Sequence, residues 1–128
     1  MSESVKQIIT MIPEREQFYA LLRRNPGLVV IKFGAEWCGP CHRIRPEVEE
    51  FFASSPDNVI CADLDVDVCF NMYSLLKSAR MVNGVPALVA YKKGNVSYIP
   101  DASITGADPN ALKQFFSKCG QLLNSVKD

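Results

Sequence analysis

The sequence predicts an α/β fold in which a central mixed β-sheet carries helices on both faces. Short apolar runs typical of buried strands alternate with segments whose apolar residues recur at helical spacing. This alternation in the first half of the chain implies parallel strands joined by helical crossovers. The turn Lys92-Lys93-Gly94-Asn95 indicates an antiparallel hairpin later on. The predicted order of elements is β-α-β-α-β-α-β-β-α.

The first half of the chain contains two predicted strands and two predicted helices. In order, they are a strand over 6–12, a helix from Pro13 to Arg24, a strand over 28–33 and a helix over about 38–54. The segment Asn25-Pro26-Gly27 is a stop signal that ends the first helix. Pro46 lies inside the second helix and should kink it, because proline removes one backbone donor.

The second half contains three predicted strands and two predicted helices. In order, they are a strand over 59–66, a helix with Asp67 as its N-cap, a strand over 86–91, a return strand over 96–99 and a last helix that starts after Asp108. A loop is expected around 100–107. The last helix has an apolar stripe with a period of 3.6 residues, which is typical of core packing.

Length, charge and terminal sequence limit the possible classes of protein. A chain of 128 residues suits a single domain with a real core, and we expect it to act as a monomer. Its 14 Lys and Arg balance 14 Asp and Glu, which argues against nucleic acid or a membrane as main partner. The N-terminus lacks an apolar signal region, so we expect a cytoplasmic protein in which residues 1–5 form a flexible tail.

Two cysteines, Cys38 and Cys41, lie where the buried strand over 28–33 gives way to a helix. A helix N-terminus offers unpaired N–H groups and the positive end of the helix dipole, both of which stabilise a thiolate. We therefore expect the Cys38 sulfur to be exposed and activated, and Cys41 to be more buried. Gly39 and Pro40 fill the gap, and Pro40 suits the first helical turn.

This placement predicts dithiol–disulfide exchange. Cys38 would attack a substrate disulfide, and Cys41 would then attack Cys38 and release the reduced substrate. A zinc site would need a second ligand pair, and the remaining candidates form no second C-x-x-C; they are His42, Cys61, Cys69 and Cys119. We therefore expect no metal and no cofactor beyond a redox-active Cys38–Cys41 disulfide.

The three other cysteines are expected to be structural. Cys61 lies on a predicted strand, whereas Cys69 and Cys119 fall on the apolar stripes of predicted helices. Buried thiols pack as small hydrophobic groups and are usually inert. Cys69 is the best candidate for regulatory oxidation, because it lies near a helix start.

The chain resembles the thioredoxin family over nearly its whole length. The matching segments are Ala35-Glu36-Trp37-Cys38-Gly39-Pro40-Cys41, Pro46, Asp65-Val66-Asp67, Gly84-Val85-Pro86, Tyr91-Lys92-Lys93-Gly94 and Gly106-Ala107. The resemblance implies a thioredoxin fold and an electron carrier of cell redox homeostasis that reduces protein disulfides. It also implies two kinds of partner, disulfide-containing proteins and a thioredoxin reductase or similar electron donor.

The resemblance assigns roles to individual residues. It makes Cys38 the attacking cysteine and Cys41 the resolving one. It makes Pro86 a cis-proline that faces the disulfide, although an X-Pro bond in cis is uncommon. The residues that would frame a shallow apolar surface for an extended substrate segment are Trp37, Val85, Pro86 and Gly106.

Two positions depart from the family pattern. Lys32 stands where most thioredoxins have a buried aspartate that assists proton transfer at the resolving cysteine, and Gly34 replaces a frequent aromatic residue. Asp63 stands where many bacterial members carry a lysine, so the usual pair is inverted here. Either Asp63 supplies the carboxylate, or Lys32 stabilises the Cys41 thiolate. Alternatively, Lys32 extends outward and contributes only packing.

Two other functions compete with a reductase. The segments Val29-Val30-Ile31-Lys32-Phe33-Gly34 and Phe70-Asn71-Met72-Tyr73 also resemble the spliceosomal thioredoxin-like proteins, which would make the chain a binding module with little redox activity. That family lacks the two-cysteine motif, so the intact pair favours redox chemistry. The third reading, a secretory oxidase or isomerase, is disfavoured by Gly39 and Pro40 and by the lack of a targeting signal.

Overall fold

The computed structural model describes residues 6–126, and the predicted tail over 1–5 lies outside them. The elements are β1 (Ile8–Ile9), α1 (Arg15–Arg23), β2 (Leu28–Gly34), α2 (Gly39–Ser54), β3 (Val59–Asp65), α3 (Phe70–Ser78), β4 (Ala87–Lys92), β5 (Ala102–Thr105) and α4 (Pro109–Ser125). This is the predicted order of strands and helices.

The strands form one mixed sheet in the order β1-β3-β2-β4-β5. β3 pairs in parallel with both β1 and β2, whereas β4 pairs antiparallel with β2 and β5. β2 lies at the centre, and all seven of its residues are buried. Its continuous apolar run is what a strand covered on both faces requires.

The two faces of β2 contribute to two different cores. Val29, Ile31 and Phe33 pack on the face covered by α1 and α3, whereas Leu28 and Val30 pack on the face covered by α2 and α4. Successive side chains of a strand point to opposite faces, so the run supplies both cores at once. Lys32 shares the parity of Leu28 and Val30, which places it on the α2 side of the sheet.

The last strand is not where the sequence predicts it. A return strand was expected over 96–99 and a loop over 100–107, but β5 spans Ala102–Thr105. The Asn95 side chain donates to the Ile99 carbonyl at 3.0 Å and to Asp101 Oδ2 at 2.9 Å, and the same Asp101 oxygen accepts from the Lys92 N–H at 2.8 Å. These side chains bind the backbone that a strand over 96–99 would have used, so the turn extends to Asp101.

The observed bounds of β1 and α1 also differ from the predicted ones. β1 has two residues instead of the seven predicted over 6–12. The first helix starts at Arg15 and not at Pro13, because Glu14 is its N-cap and forms a capping box with Gln17. The predicted stop at Asn25-Pro26-Gly27 coincides with the end of α1.

Tertiary contacts explain why this stop contains Asn25 and Gly27. Asn25 is buried, and its side chain donates to the Tyr91 carbonyl at 2.8 Å while accepting from the Gly27 N–H at 3.0 Å. A Cβ at Gly27 would lie 2.7 Å from the Asn58 carbonyl oxygen and 2.9 Å from Leu123 Cδ1. Any side chain there would displace backbone, so the close approach of these loops requires glycine.

Candidate active site

Cys38 and Cys41 form a disulfide at the N-terminus of α2, with their Cα atoms 5.3 Å apart. Cys38 is the N-cap residue, and its Sγ accepts a hydrogen bond from the Cys41 N–H at 3.1 Å. Pro40 lies in the first turn, as predicted. The sulfur of Cys38 thus occupies the position at which a helix N-terminus stabilises negative charge.

The expectation that Cys38 would be exposed is wrong for the disulfide form. Cys38 is 4% exposed and Cys41 is 1% exposed. Both belong to the apolar cluster that also contains Ala35 and Val66, so the disulfide is covered by neighbouring side chains. The predicted ranking, with Cys41 the more buried of the two, holds only narrowly.

Trp37 is an exposed aromatic residue beside the two cysteines. It is 69% exposed, and its indole Nε1 donates to Asp67 Oδ2 at 3.0 Å. The prediction that Asp67 caps the third helix is wrong, because Cys69 is the N-cap of α3. Asp67 instead holds the indole, a role that spacing along the chain did not reveal since the two residues are 30 positions apart.

Pro86 lies at the same edge of the sheet as Cys38. The Val85–Pro86 peptide bond is cis, which confirms that part of the expectation. β2 and β4 are antiparallel, so the end of β2 that leads to Cys38 lies beside the start of β4. The Gly106 N–H donates to the Pro86 carbonyl at 2.8 Å, and the Gly106 φ of +105° suits glycine. The structure therefore brings Val85, Pro86 and Gly106 to this edge.

Lys32 and Asp63 form the inverted pair that the sequence suggested. They are cross-strand partners in the β2–β3 register, and Lys32 Nζ lies 3.7 Å from Asp63 Oδ1. The side chain of Lys32 is 4% exposed and that of Asp63 is 39% exposed. Because the lysine stays inside the protein, the interpretation in which it extends outward to solvent is wrong.

Gly34 leaves a small space that Lys32 and Cys41 both border. A Cβ at this position would lie 3.6 Å from Cys41 Sγ and 3.6 Å from Lys32 Cε. The lysine stem and the resolving sulfur therefore face the same small space from different sides. A larger side chain at position 34 would occupy the space that they share.

The three remaining cysteines are buried, as expected. Burial raises the pKa of the Cys61 thiol, and it raises that of Cys119 to about 12, with the neighbouring Cys61 adding to the rise. Cys69 Sγ lies 3.8 Å from Met11 Sδ. The nucleophile of thiol chemistry is the thiolate, so Cys61 and Cys119 are held in their unreactive form.

Stability should fall at alkaline pH because of Cys119. Its folded-state pKa of about 12 exceeds the ordinary value of 9.0, so the unfolded chain loses this proton first. The stabilisation is complete below pH 9.0 and is lost as the pH rises toward 12, by up to about 1.4 kcal/mol per pH unit. Urea unfolding between pH 8 and 11 should show a shallower decline for Cys119→Ala than for wild type; equal slopes would contradict this assignment.

The described residues 6–126 contain neither a metal-binding cluster nor a membrane-spanning helix. No group of three or more His, Cys, Asp and Glu side chains in this range is arranged to hold a metal ion. In the same range, no helix combines the length and apolar character needed to cross a membrane.

Comparison with known proteins agrees with this geometry. The family model described as Thioredoxin matches residues 9–118. Thioredoxin-2 of Saccharomyces cerevisiae is 32% identical over 107 residues, which cover 84% of this chain and 94% of the yeast protein. Thioredoxin of Neurospora crassa is 32% identical over 125 residues, covering 95% of this chain and 91% of the relative. The solved structure of Trichomonas vaginalis thioredoxin superposes with a TM-score of 0.67 at 29% identity, covering 87% of this chain and 96% of that one.

These similarities and the Cys38–Cys41 pair agree on one class of chemistry. The matched relatives carry the name thioredoxin and align along most of their length. The paired cysteines lie at the helix N-terminus, where a thiolate is stabilised. A protein thiol–disulfide oxidoreductase accounts for both findings, and none of the observations favours the binding module. The chain belongs to the thioredoxin family.

Proposed function

We propose that this protein reduces disulfides in other proteins through a mixed disulfide at Cys38, which Cys41 resolves. The observation that carries the proposal is the Cys38–Cys41 disulfide at the N-terminus of α2. The pair itself is the redox centre, so the reaction needs no metal or organic cofactor. The two steps use the two cysteines differently.

In the first step, the Cys38 thiolate attacks one sulfur of a substrate disulfide. The Cys41 N–H, 3.1 Å from Cys38 Sγ, and the dipole of α2 stabilise this thiolate. A bond forms between Cys38 Sγ and the substrate sulfur while the substrate S–S bond breaks. The displaced sulfur leaves as a thiolate and takes a proton from solvent.

In the second step, the Cys41 thiolate attacks Cys38 Sγ. The Cys38–Cys41 bond forms, the mixed disulfide breaks, and the second substrate sulfur leaves as a thiolate. Two electrons have then passed from the cysteine pair to the substrate. Lys32 and Asp63 form the charged pair that governs the proton of Cys41. A thioredoxin reductase or similar donor returns the two electrons.

The substrate segment binds in an extended conformation on the surface around the disulfide. The residues that frame this surface are Trp37, Val85, Pro86 and Gly106, with Gly39 and Pro40 in the motif itself. The exposed indole of Trp37 offers apolar contact, and its bond to Asp67 supports a fixed orientation. Backbone groups beside Pro86 pair with the substrate backbone.

The cellular setting completes the proposal. The protein acts in the cytoplasm as a monomer and as a single domain, and it serves electron transport and redox homeostasis. Its balanced charge of 14 basic and 14 acidic residues agrees with protein substrates in preference to nucleic acid or a membrane.

Insulin reduction with dithiothreitol tests the proposal. We expect wild-type protein to accelerate insulin precipitation and both Cys38→Ser and Cys41→Ser to fall to the rate of dithiothreitol alone, because each lacks one of the two exchange steps. Cys119→Ala, which removes a thiol remote from the chemistry, is the matched control and should retain activity. Folded wild-type protein with free thiols that does no better than dithiothreitol would refute the reductase.

A further inference from the structure

We propose that the buried ammonium of Lys32 stabilises the anionic form of the Cys41 sulfur, and thereby makes the protein a weaker reductant than a neutral residue at position 32 would. The inference rests on the proposed function and names what regulates its redox centre. It assigns the charge beside Cys41 to a cation, opposite in sign to the carboxylate of the usual family pattern.

The position of Lys32 at the edge of the Gly34 space supports this role. The Gly34 space is bordered by Lys32 Cε and by Cys41 Sγ, each 3.6 Å from the same point. Within the pair, Lys32 is the member whose stem borders this space. Asp63 Oδ1 lies on the other side of the ammonium, 3.7 Å from Nζ, and its side chain is 39% exposed.

The burial of the charged Lys32 side chain also supports this role. Lys32 is the one charged side chain among the buried residues of the described chain. Asp63, whose side chain is 39% exposed, lies 3.7 Å from the ammonium without enclosing it. Cys41 is 1% exposed, so solvent screens the field of Lys32 poorly at the sulfur. A nearby opposite charge favours ionisation of a titrating group by about tenfold or more.

The free-energy cost of burying Lys32 supports this role as well. Burying an ammonium against a single carboxylate at 3.7 Å is costly, and an apolar side chain of similar size would fold at least as well. Lys32 costs stability, and its position near the reacting sulfur is explained if it serves the chemistry of that sulfur. We therefore expect Lys32→Met to match or exceed wild type in urea unfolding.

The redox consequence follows from the chemistry of exchange. A thiolate stabilised in the reduced pair makes formation of the Cys38–Cys41 disulfide less favourable, which raises the reduction potential. The same thiolate attacks Cys38 Sγ without first losing a proton. Resolution of the mixed disulfide should therefore persist at acidic pH, where a protonated Cys41 would be slow.

The direct test titrates Cys41 by thiolate absorbance near 240 nm in a Cys38→Ser background. Introducing Lys32→Met should make Cys41 harder to ionise. Half of it should then be ionised only at a more alkaline pH, where the proton concentration is at least about tenfold lower. Lys113→Met, an exposed lysine on α4, is the matched control and should change nothing. Lys32→Gln provides a second neutral variant if Lys32→Met fails to fold.

An equilibrium with glutathione gives an independent readout in the otherwise wild-type protein. The constant for forming the Cys38–Cys41 disulfide should rise at least about tenfold in Lys32→Met or Lys32→Gln. Unchanged Cys41 titration in the neutral variants would overturn the inference. Neither readout needs protein substrates, so failure in the insulin assay would overturn the proposed function separately.

Discussion

Replacing Cys41 by serine should convert the protein into a covalent trap for its substrates. Cys38 keeps its place at the N-terminus of α2 and can still attack, but no sulfur remains to release the mixed disulfide. We expect adducts of Cys41→Ser with disulfide-containing proteins that persist on non-reducing gels and disappear with dithiothreitol. Wild type should show almost none, because resolution is intramolecular and benefits from a high effective concentration.

The cysteine pair also provides the controls for this experiment. A Cys38→Ser/Cys41→Ser double variant should form no adducts, because Cys61, Cys69 and Cys119 are buried. Adducts that survive in the double variant would mean that one of these three thiols is the nucleophile. That outcome would contradict the assignment of Cys38 as the attacking residue.

Replacing Phe18 by alanine should lower the free energy of unfolding more than any other substitution proposed for this protein. Its side chain is fully buried in the core between α1 and the sheet, and it packs edge-on against Tyr91 with ring centroids 5.4 Å apart. Removing a buried phenylalanine ring loses transfer free energy and leaves a cavity, which together cost about 3–5 kcal/mol. Urea unfolding should show this decrease in the free energy of unfolding, with insulin reduction retained where the variant is folded.

Phe51 is the matched control for Phe18. It is only partly buried, against the core cluster covered by α2 and α4, where it stacks on Phe116 with ring centroids 4.2 Å apart. Phe51→Ala should cost clearly less than Phe18→Ala, because its site opens to solvent and leaves no sealed cavity. If the two variants lost the same free energy of unfolding, the core beneath α1 would contribute no more to stability than the partly exposed stack of Phe51 on Phe116.

Local patterns were enough to predict most of the architecture. The apolar run over 28–33 predicted the buried central strand, since a strand covered on both faces needs no polar alternation. The alternation of strands and helices predicted parallel crossovers, and the turn near Lys93 predicted an antiparallel hairpin. The position of Cys38 and Cys41 at a helix start followed from the same reasoning.

The errors arose where polar side chains form hydrogen bonds that the sequence pattern does not reveal. Asn95 and Asp101 extend a turn over residues with good strand character, so β5 starts later than hydrophobicity suggests. Asp67 looked like a helix cap, yet it binds the indole of Trp37. Such choices depend on which partner a polar side chain meets after folding, and periodicity carries no information about that.

The sequence by itself determined the fold class, the order of elements, the redox pair and the departure of Lys32 from the family pattern. These depend on composition, spacing and the resemblance, all of which can be read along the chain. Only the tertiary structure decided that Lys32 stays buried, with its ammonium on Asp63 and its stem beside Cys41 across the Gly34 space. The physical reason is that a buried charge takes its effect from neighbours that folding brings together, and distances between strands and helices are not written in sequence spacing.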